Sequence, residues 1–376
     1  MANTLKFGNS EWYGSEGNIL AYNDLGGNYK PLPFSFSRGS SATRVNQQGL
    51  IETVQANDAR VDYKDNANGA LLLEPSRTNK LTTSQDFSSF LKSGTITTTA
   101  NYGISPNGKQ DSTRVVFSSS SSSFYKLSVH SGNTETNSIY IKGTNGETIK
   151  FGKGVTVNLG DTFTLNGEWQ RLEYVSTTGN QFIINTYGGT TARDIEIFGA
   201  QIEEGSYATS YIPTQGTAQT RLKDSCSQTT PDGVIGQTEG TVFVEIDYTP
   251  HSVNYESVAS LQGTSTQQYL ECYFNSANKI NVGIYNGGAV QVSFASASQT
   301  KGIKKIAIAY KSNDFAVYLN GTQIHTDNSG SVPLLSSLGL GINYSGSTFQ
   351  LSQPIKQFQL YNTRLSNGEL AALTQV

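Results

Sequence analysis

Hydrophobic and polar residues alternate with a period of two over short segments, and turn residues separate these segments at spacings of about ten. Between residues 81 and 216 the alternating segments are Arg114–Phe117, Phe124–Val129, Ser138–Lys142, Thr148–Phe151, Val155–Leu159, Glu168–Val175, Gln181–Asn185 and Asp194–Ile202. The rhythm resumes at residue 237 and continues to residue 360, and helical periodicity is confined to the last ten residues. We therefore predict an all-β protein with two antiparallel β-sandwich or jelly-roll domains.

The pattern also predicts where these domains begin and end. Residues 1–80 contain scattered glycine and proline and few clean strands, so they read as an irregular N-terminal region. The first sandwich is predicted over residues 81–216 and the second over residues 237–376. Residues 217–236 are polar and contain Pro231, Asp232 and Gly233, which favours a linker.

Short turn and cap signals refine the second sandwich. Asn320-Gly321 lies between two apolar runs, and this dipeptide favours a type I′ hairpin turn because both central positions need a positive φ. Asn286-Gly287-Gly288 predicts another turn. Ser366 followed by Glu369 forms a capping-box pattern and predicts a short C-terminal helix that packs on this sandwich.

Composition narrows the possible functions. Charged residues make up 15% of the chain, and the net charge is −3 without a basic patch, which argues against nucleic-acid binding. No segment is long and apolar enough for membrane insertion, and the first residues lack a signal-peptide pattern, so we expect synthesis in a cytoplasm. Cys226 and Cys272 are predicted to be free thiols, because a disulfide framework would need more cysteines.

Candidate catalytic and metal-binding groups are sparse. Glu245 and Asp247 share one face of a predicted strand, and this pattern is similar to the acidic motif of laminarinase-like glycosidases, but the third acid is replaced by Pro250. We therefore expect no enzyme activity, no catalytic residue and no cofactor. The histidines, at positions 130, 251 and 325, are not at metal-ligand spacing. A loop calcium site at Asp314 or Asp327 stays open, although no metal ligand is assigned.

Three blocks of sequence resemble phage virion proteins. They are GAQIEEGSYATSYIPTQGTAQTR (199–221), the N-terminal blocks FSRGSSATRVNQQGLIE (36–52), RVDY (60–63) and LLLEPSRTN (71–79), and FQLYNTRLSNGELAALT (358–374). The first two sets resemble phage fibre or spike proteins, and the third resembles the end of a concanavalin A-like or laminin G-like lectin domain. The resemblance implies a virion-attachment region at 1–80, a carbohydrate-binding-module-like jelly-roll and a C-terminal lectin-like sandwich.

The resemblance implies a structural protein on the virion surface that contacts other virion proteins through its N-terminal region. Its lectin-like domains would bind a host cell-surface glycan during adsorption. A purely structural decoration protein of the capsid or tail is the alternative, and a depolymerase of surface polysaccharide is the third possibility. Residues 1–80 contain apolar clusters at 34–36 and 71–73 but too little regular structure for their own core, which favours a homotrimer organised by this region.

The best candidate binding surface is a set of tyrosines in the second sandwich. In residues 269–274 the period of two places Tyr269 and Tyr273 opposite the apolar set, and Asn281 and Tyr318 point outward by the same reasoning. Such a face could stack pyranose rings and bond their hydroxyls, so these four residues are the predicted carbohydrate-binding residues. Packing against another domain or subunit is the competing interpretation of the same pattern.

Overall fold

The computed structural model describes residues 4–8, 13–14, 20–23, 29–31, 35–127, 132–154, 160–188, 192–229, 235–251, 253, 255–345 and 351–376. Described strands before residue 80 are β1 (Thr4–Gly8), β2 (Tyr13–Gly14), β3 (Leu20–Asn23), β4 (Tyr29–Pro31), β5 (Ser35–Ser37), β6 (Ala42–Val45), β7 (Ile51–Val54), β8 (Val61–Asp62), β9 (Ala70–Leu71) and β10 (Arg77–Asn79). Those between 91 and 204 are β11 (Leu91–Ser93), β12 (Ile96–Thr99), β13 (Thr113–Phe117), β14 (Ser123–Leu127), β15 (Glu135–Gly143), β16 (Thr148–Gly154), β17 (Asp161–Thr164), β18 (Gln170–Ser176), β19 (Gln181–Asn185) and β20 (Arg193–Glu204).

The C-terminal part continues the same architecture. Its elements are β21 (Gln219–Arg221), β22 (Ser225–Thr229), β23 (Glu239–Tyr248), β24 (Tyr255–Gln262), β25 (Tyr269–Asn275), β26 (Lys279–Asn286), β27 (Ala289–Ser298), β28 (Gly302–Lys311), β29 (Phe315–Leu319), β30 (Thr322–Asp327), β31 (Ser337–Leu340), β32 (Ile355–Tyr361) and the helix α1 (Asn367–Leu373). The all-β prediction is confirmed. Within the described residues, no helix is long and apolar enough to cross a membrane.

The chain divides into two compact units. The smaller unit comprises residues 42–53 and 76–221. Two antiparallel sheets, in the orders β11-β14-β19-β16-β17 and β12-β13-β20-β15-β18, form its sandwich. Alternation explains the core, because Val115 and Phe117 of β13 point inward with Phe124 of β14 and Phe182 of β19.

The larger unit comprises residues 1–41, 54–75 and 222–376. One of its sheets has the order β30-β29-β28-β23-β32-β9-β8, with β1 also paired to β32, and the other has the order β27-β26-β25-β24-β31-β22-β5. The two sheets enclose one core, to which β23 contributes Val242, Val244 and Ile246 and β25 contributes Leu270, Cys272 and Phe274. The second sheet carries the candidate site on its outer side.

The turn and cap predictions are confirmed in this unit. Asn320 and Gly321 have φ values of 47° and 81° and join β29 to β30. Asn286-Gly287-Gly288 joins β26 to β27. Ser366 caps α1 through the predicted capping box. Both cysteines are free thiols buried in the core.

The predicted domain bounds differ from the observed ones. Residues 1–80 do not form a separate region, because β5 pairs with β22, β9 pairs with β32, and β6 and β10 belong to the smaller unit. Phe36, Leu71 and Leu73 lie in the core of the larger unit, so these apolar side chains are buried without a second copy of the chain. Phe34 lies outside the described residues.

The predicted linker at 217–236 is also corrected. It contains β21, paired with β10, and β22, paired with both β5 and β31. A polar composition predicts a linker, but strands are joined by backbone hydrogen bonds and can carry polar side chains. Residues 230–234 lie outside the described part, as do residues 155–159 and the end of the predicted segment Phe124–Val129.

Candidate functional site

The candidate site lies on the outer side of the sheet formed by β24, β25 and β26. Alternation along β25 turns Tyr269, Glu271 and Tyr273 away from the core residues of the same strand. On β26, Tyr285 is paired with Tyr269, and Asn281 is paired with Tyr273. Three of the four predicted residues, Tyr269, Tyr273 and Asn281, therefore lie on the same face of this sheet.

Three tyrosines outside the predicted set, Tyr255, Tyr285 and Tyr344, complete this surface. Tyr344 stacks on Tyr269 with ring centroids 3.8 Å apart, and Tyr285 stacks on the other side of Tyr269 at 4.7 Å. A second stack joins Tyr255 of β24 to Tyr273 at 4.0 Å. All five rings are half-buried. We refer to Tyr255, Tyr269, Tyr273, Tyr285 and Tyr344 as the tyrosine ladder.

Stacking determines which parts of these rings a ligand can reach. Both faces of Tyr269 are covered by neighbouring rings, and Tyr255 and Tyr273 each cover one face of the other. The ladder therefore presents ring edges and phenolic hydroxyls more than open ring faces. This differs from the predicted stacking of sugar rings on exposed tyrosines, and it favours recognition through hydrogen bonds.

A buried carboxylate lies within the ladder. Glu271 is 1% exposed and is paired across the sheet with Gly283 on one side and Ser260 on the other. Burial raises the pKa of Glu271 to about 7, although hydrogen bonds from Tyr255, Ser257 and the Tyr344 amide oppose this shift. The Ser257 hydroxyl oxygen lies 3.1 Å from its Oε1. Glu271 therefore fixes the position of two ladder residues from below.

A loop segment is fastened across the same sheet. The hydroxyls of Ser257 and Ser260 both donate to the Ile342 carbonyl at 2.8 Å, and Gln262 Nε2 donates to the Asn343 carbonyl at 3.0 Å. These bonds place Tyr344 on Tyr269. Sequence periodicity could not find Tyr344, because this residue lies in a loop. It could not place Tyr255 either, because the register of β24 shifts between Ser257 and Ala259 and interrupts the period of two.

Tyr318 does not belong to this surface. It lies on β29 in the other sheet, where it is 4% exposed and packs in a cluster with Leu370 of α1. Its hydroxyl donates to Gln323 Oε1 at 2.9 Å. Alternation correctly places Tyr318 opposite the main core, but the pattern does not reveal that the C-terminal helix covers this side of the sheet.

Of the acidic pair considered for catalysis, Glu245 is in contact with two lysines. Glu245 lies 3.9 Å from Lys305 Nζ and 3.8 Å from Lys356 Nζ. Asp247 is half-buried on the same strand. The two lysines favour the charged form of the Glu245 carboxylate, and the absence of enzyme activity stays an expectation.

A histidine cluster at 251–256 and 352–353 was not anticipated. His251 Nε2 lies 2.8 Å from Ser352 Oγ and 3.1 Å from Glu256 Oε2. A serine–histidine–acid relay needs the serine and the acid on opposite ring nitrogens, whereas here both contact Nε2. Ser352 also donates to Glu256 Oε1 at 2.5 Å. The cluster therefore ties two loops together.

The candidate calcium ligands already have partners. Asp314 pairs with Arg364 at 2.8 Å, and Asp327 accepts hydrogen bonds from the amide and hydroxyl of Ser329 at 2.9 and 2.8 Å. Throughout the described ranges, no three histidine, cysteine or acidic residues cluster as a metal site would require. His325 stacks on Phe294, and His130 lies outside the described residues.

No known protein family matches the chain, and no curated protein matches it. Among solved structures, the CBM40 module of the Ruminococcus gnavus IT-sialidase, bound to α2,3-sialyllactose, is similar over 38% of this chain and 84% of the module, with 16% identity and a TM-score of 0.33. A structure from work on ganglioside-dependent cell entry of botulinum neurotoxin type C covers 40% of this chain and 39% of its own, with 10% identity and a TM-score of 0.33.

A heptameric pentraxin from Limulus polyphemus covers 38% of this chain and 72% of its own, with 14% identity and a TM-score of 0.28. At these identities and TM-scores, the similarities assign neither a family nor a ligand to this chain.

Proposed function

We propose that this protein binds carbohydrate and that the tyrosine ladder of the larger unit is its contact with a host-surface saccharide. The observation that carries the proposal is the convergence of five tyrosine rings on one sheet face around buried Glu271. A saccharide offers many hydroxyls together with small apolar C–H patches, which match phenolic hydroxyls and half-buried rings. Asn281 lies beside Tyr273 and adds an amide to the same surface.

The biological setting is proposed from the sequence blocks at 36–52, 199–221 and 358–374. Their resemblance to phage virion proteins supports a fibre or spike that presents this surface to a bacterial host. The expected trimer now rests on that resemblance alone, because Phe36, Leu71 and Leu73 are buried in the core of the chain itself. Attachment through the N-terminal region is likewise a proposal.

The experiment compares removal of a hydroxyl with removal of a ring. Purified full-length protein is tested on a glycan array and in phage adsorption competition. Tyr273→Phe and Tyr285→Phe keep the stacked rings but remove hydroxyls, and each lost hydrogen bond should weaken binding about threefold to tenfold. Multivalent display would amplify this loss in adsorption assays.

The matched control is Tyr125→Phe, a half-buried tyrosine of β14 in the smaller unit. It should leave glycan binding unchanged. Unchanged binding in both ladder variants, with folding intact, would refute the site. Loss of particle assembly without loss of glycan binding would favour the decoration protein, and release of reducing sugar from host polysaccharide would favour the depolymerase.

A further inference from the structure

Glu271 points toward the outer side of its sheet, yet it is only 1% exposed. Residues 342–344 lie against it, because the Tyr344 amide and the Tyr255 hydroxyl are both hydrogen-bonded to its carboxyl group. After β31, Gly341 has a φ of 63°, a conformation that favours glycine, and the chain turns there over the sheet. The burial of this outward carboxyl group therefore depends on a segment that lies outside the strands, which we call the covering segment (342–344).

The hydrogen bonds beneath the covering segment are all satisfied when Glu271 carries a proton. Ser257 Oγ lies 2.8 Å from the Ile342 carbonyl oxygen and 3.1 Å from Glu271 Oε1. A hydroxyl has one hydrogen to donate, and both of these atoms are acceptors when Glu271 is charged. A protonated Glu271 instead donates to Ser257 Oγ, and Ser257 donates to Ile342. Loss of the proton therefore leaves two acceptors for one hydrogen.

The groups that face Glu271 cannot balance a negative charge. Within the described part of the chain, no lysine, arginine or histidine pairs with it. The titratable groups around it are phenols and one thiol, contributed by β24, β25, β26 and the covering segment: Tyr255, Tyr269, Cys272, Tyr273, Tyr285 and Tyr344. Burial raises the pKa of the first four above their ordinary values, so these four are neutral at pH 7.

Two effects of deprotonation oppose each other at this site. A charged carboxylate accepts a stronger hydrogen bond from the Tyr344 amide, but it loses the water that would solvate it. Burial is the larger effect, because it raises the pKa of Glu271 to about 7 in spite of the hydrogen bonds from Tyr255, Ser257 and the Tyr344 amide. Deprotonation therefore favours an arrangement in which water reaches this carboxylate, and moving the covering segment away provides one.

We propose that the covering segment is controlled by one proton: protonated Glu271 keeps it closed, with Tyr344 stacked on Tyr269, and deprotonation releases it. The opening itself requires no ligand. Its effect on binding rests on the proposed function, because an open segment removes Tyr344 from the tyrosine ladder. A saccharide bound by the complete ladder is then held more tightly at mildly acidic pH than above pH 7.

The first measurement follows the covering segment without a ligand. Hydrogen exchange of the full chain is recorded from pH 4.5 to pH 8, and the rates of peptides within residues 339–345 are divided by the intrinsic rates at each pH. Protection should fall by up to about tenfold per pH unit between pH 4.5 and pH 7 and level off above that, because the closed state holds the Glu271 proton more tightly. Glu271→Gln can donate to Ser257 without carrying a charge, so its protection should not change with pH.

The second measurement reads a glycan array at pH 5 and pH 7.5. A glycan bound by wild type should bind about threefold to tenfold more tightly at pH 5, and equally at both pH values in Glu271→Gln. The control is His251→Gln, which alters a contact of 3.1 Å with Glu256 elsewhere in the same unit and should keep the wild-type response. Ser257→Ala serves if Glu271→Gln does not fold, and it should lower the protection of residues 339–345 at pH 5.

Equal protection of residues 339–345 at pH 5 and pH 7.5 would overturn the proposal, whether or not a glycan is bound. A pH response that persists in Glu271→Gln would assign it to another group. An equal loss of protection in core residues 242–246 would replace local opening with a general loss of stability. Opening without glycan binding at either pH would refute the proposed function but support the proton-controlled segment, whereas tighter binding at pH 7.5 would refute the coupling to binding.

Discussion

The Asp224 carboxylate is buried in the larger unit and pairs with two arginines. Replacing it tests whether the larger unit can be destabilised separately from the smaller one. Its Oδ1 accepts from Arg38 at 3.0 Å, its Oδ2 accepts from the Glu74 amide at 2.8 Å, and Oδ2 also contacts Arg60. Arg60 makes a second ion pair with Glu74 at 2.7 Å. All four side chains are at most 5% exposed, and they come from three separate stretches of sequence.

The expected cost of Asp224→Asn follows from this geometry. The substitution preserves the volume but leaves Arg38 and Arg60 without the shared carboxylate in a buried environment. Breaking a buried ion pair costs about 3–5 kcal/mol, because a buried arginine loses a carboxylate partner that water cannot replace. The free energy of unfolding falls with urea concentration by about 3 kcal/mol per M at the upper end of the usual range. The urea midpoint of the larger unit should therefore fall by about 1–2 M.

Hydrogen exchange with mass spectrometry across a urea series measures the unfolding of each unit separately. Peptides within residues 255–275 report on the larger unit, and peptides within residues 195–202 report on the smaller one. The control is Asp194→Asn, which breaks a half-exposed 2.5 Å pair with Arg114 in the smaller unit and should cost only about 0.2–1 kcal/mol. A midpoint shift for Asp224→Asn no larger than that of the control would refute the reasoning.

Three further predictions follow from individual buried groups. Because burial raises the pKa of Glu271 to about 7, the folded state holds that proton more tightly than the unfolded chain; the stabilisation is complete below about pH 4.5 and is lost as the pH rises through 7. The free energy of unfolding, measured by urea titration, should fall between pH 4.5 and pH 8 by ~3 kcal/mol more in wild type than in Glu271→Gln, and equal changes would contradict this. Ser366→Ala should destabilise α1 by about 1 kcal/mol and speed exchange at Leu370, whereas unchanged exchange would exclude the cap as its support. Burial raises the pKa of Cys226 and Cys272, so neither should react with a thiol reagent at pH 8 until urea unfolds the larger unit.

Local structure was predictable because it depends on neighbouring residues. The period of two on β25 and β26 placed Leu270 and Ile284 in the core, and Asn320-Gly321 specified its turn through backbone conformation alone. The same reasoning found Tyr269 and Tyr273 on one face. Each of these inferences needs only a few consecutive residues.

The errors came from pairings that are distant in sequence. Leu71 pairs with Ile355, and Phe36 pairs with Cys226, so segments that looked irregular by themselves are strands of the larger unit. Deleting residues 1–80 should therefore unfold that unit instead of releasing a soluble monomer. A folded, soluble truncation measured by circular dichroism and light scattering would show that these pairings are dispensable.

The tyrosine ladder is open to two interpretations that differ in what they require of the hydroxyl group. A protein–protein contact draws its stability mainly from buried ring area, and Tyr→Phe preserves that area, so an assembly surface should tolerate Tyr285→Phe. A saccharide is bound by hydrogen bonds, and here the stacks of Tyr269 with Tyr285 and Tyr344 leave edges and hydroxyls as the accessible parts. Sensitivity to loss of the hydroxyl alone is thus evidence for sugar recognition, whereas sensitivity only to Tyr285→Ala is evidence for assembly.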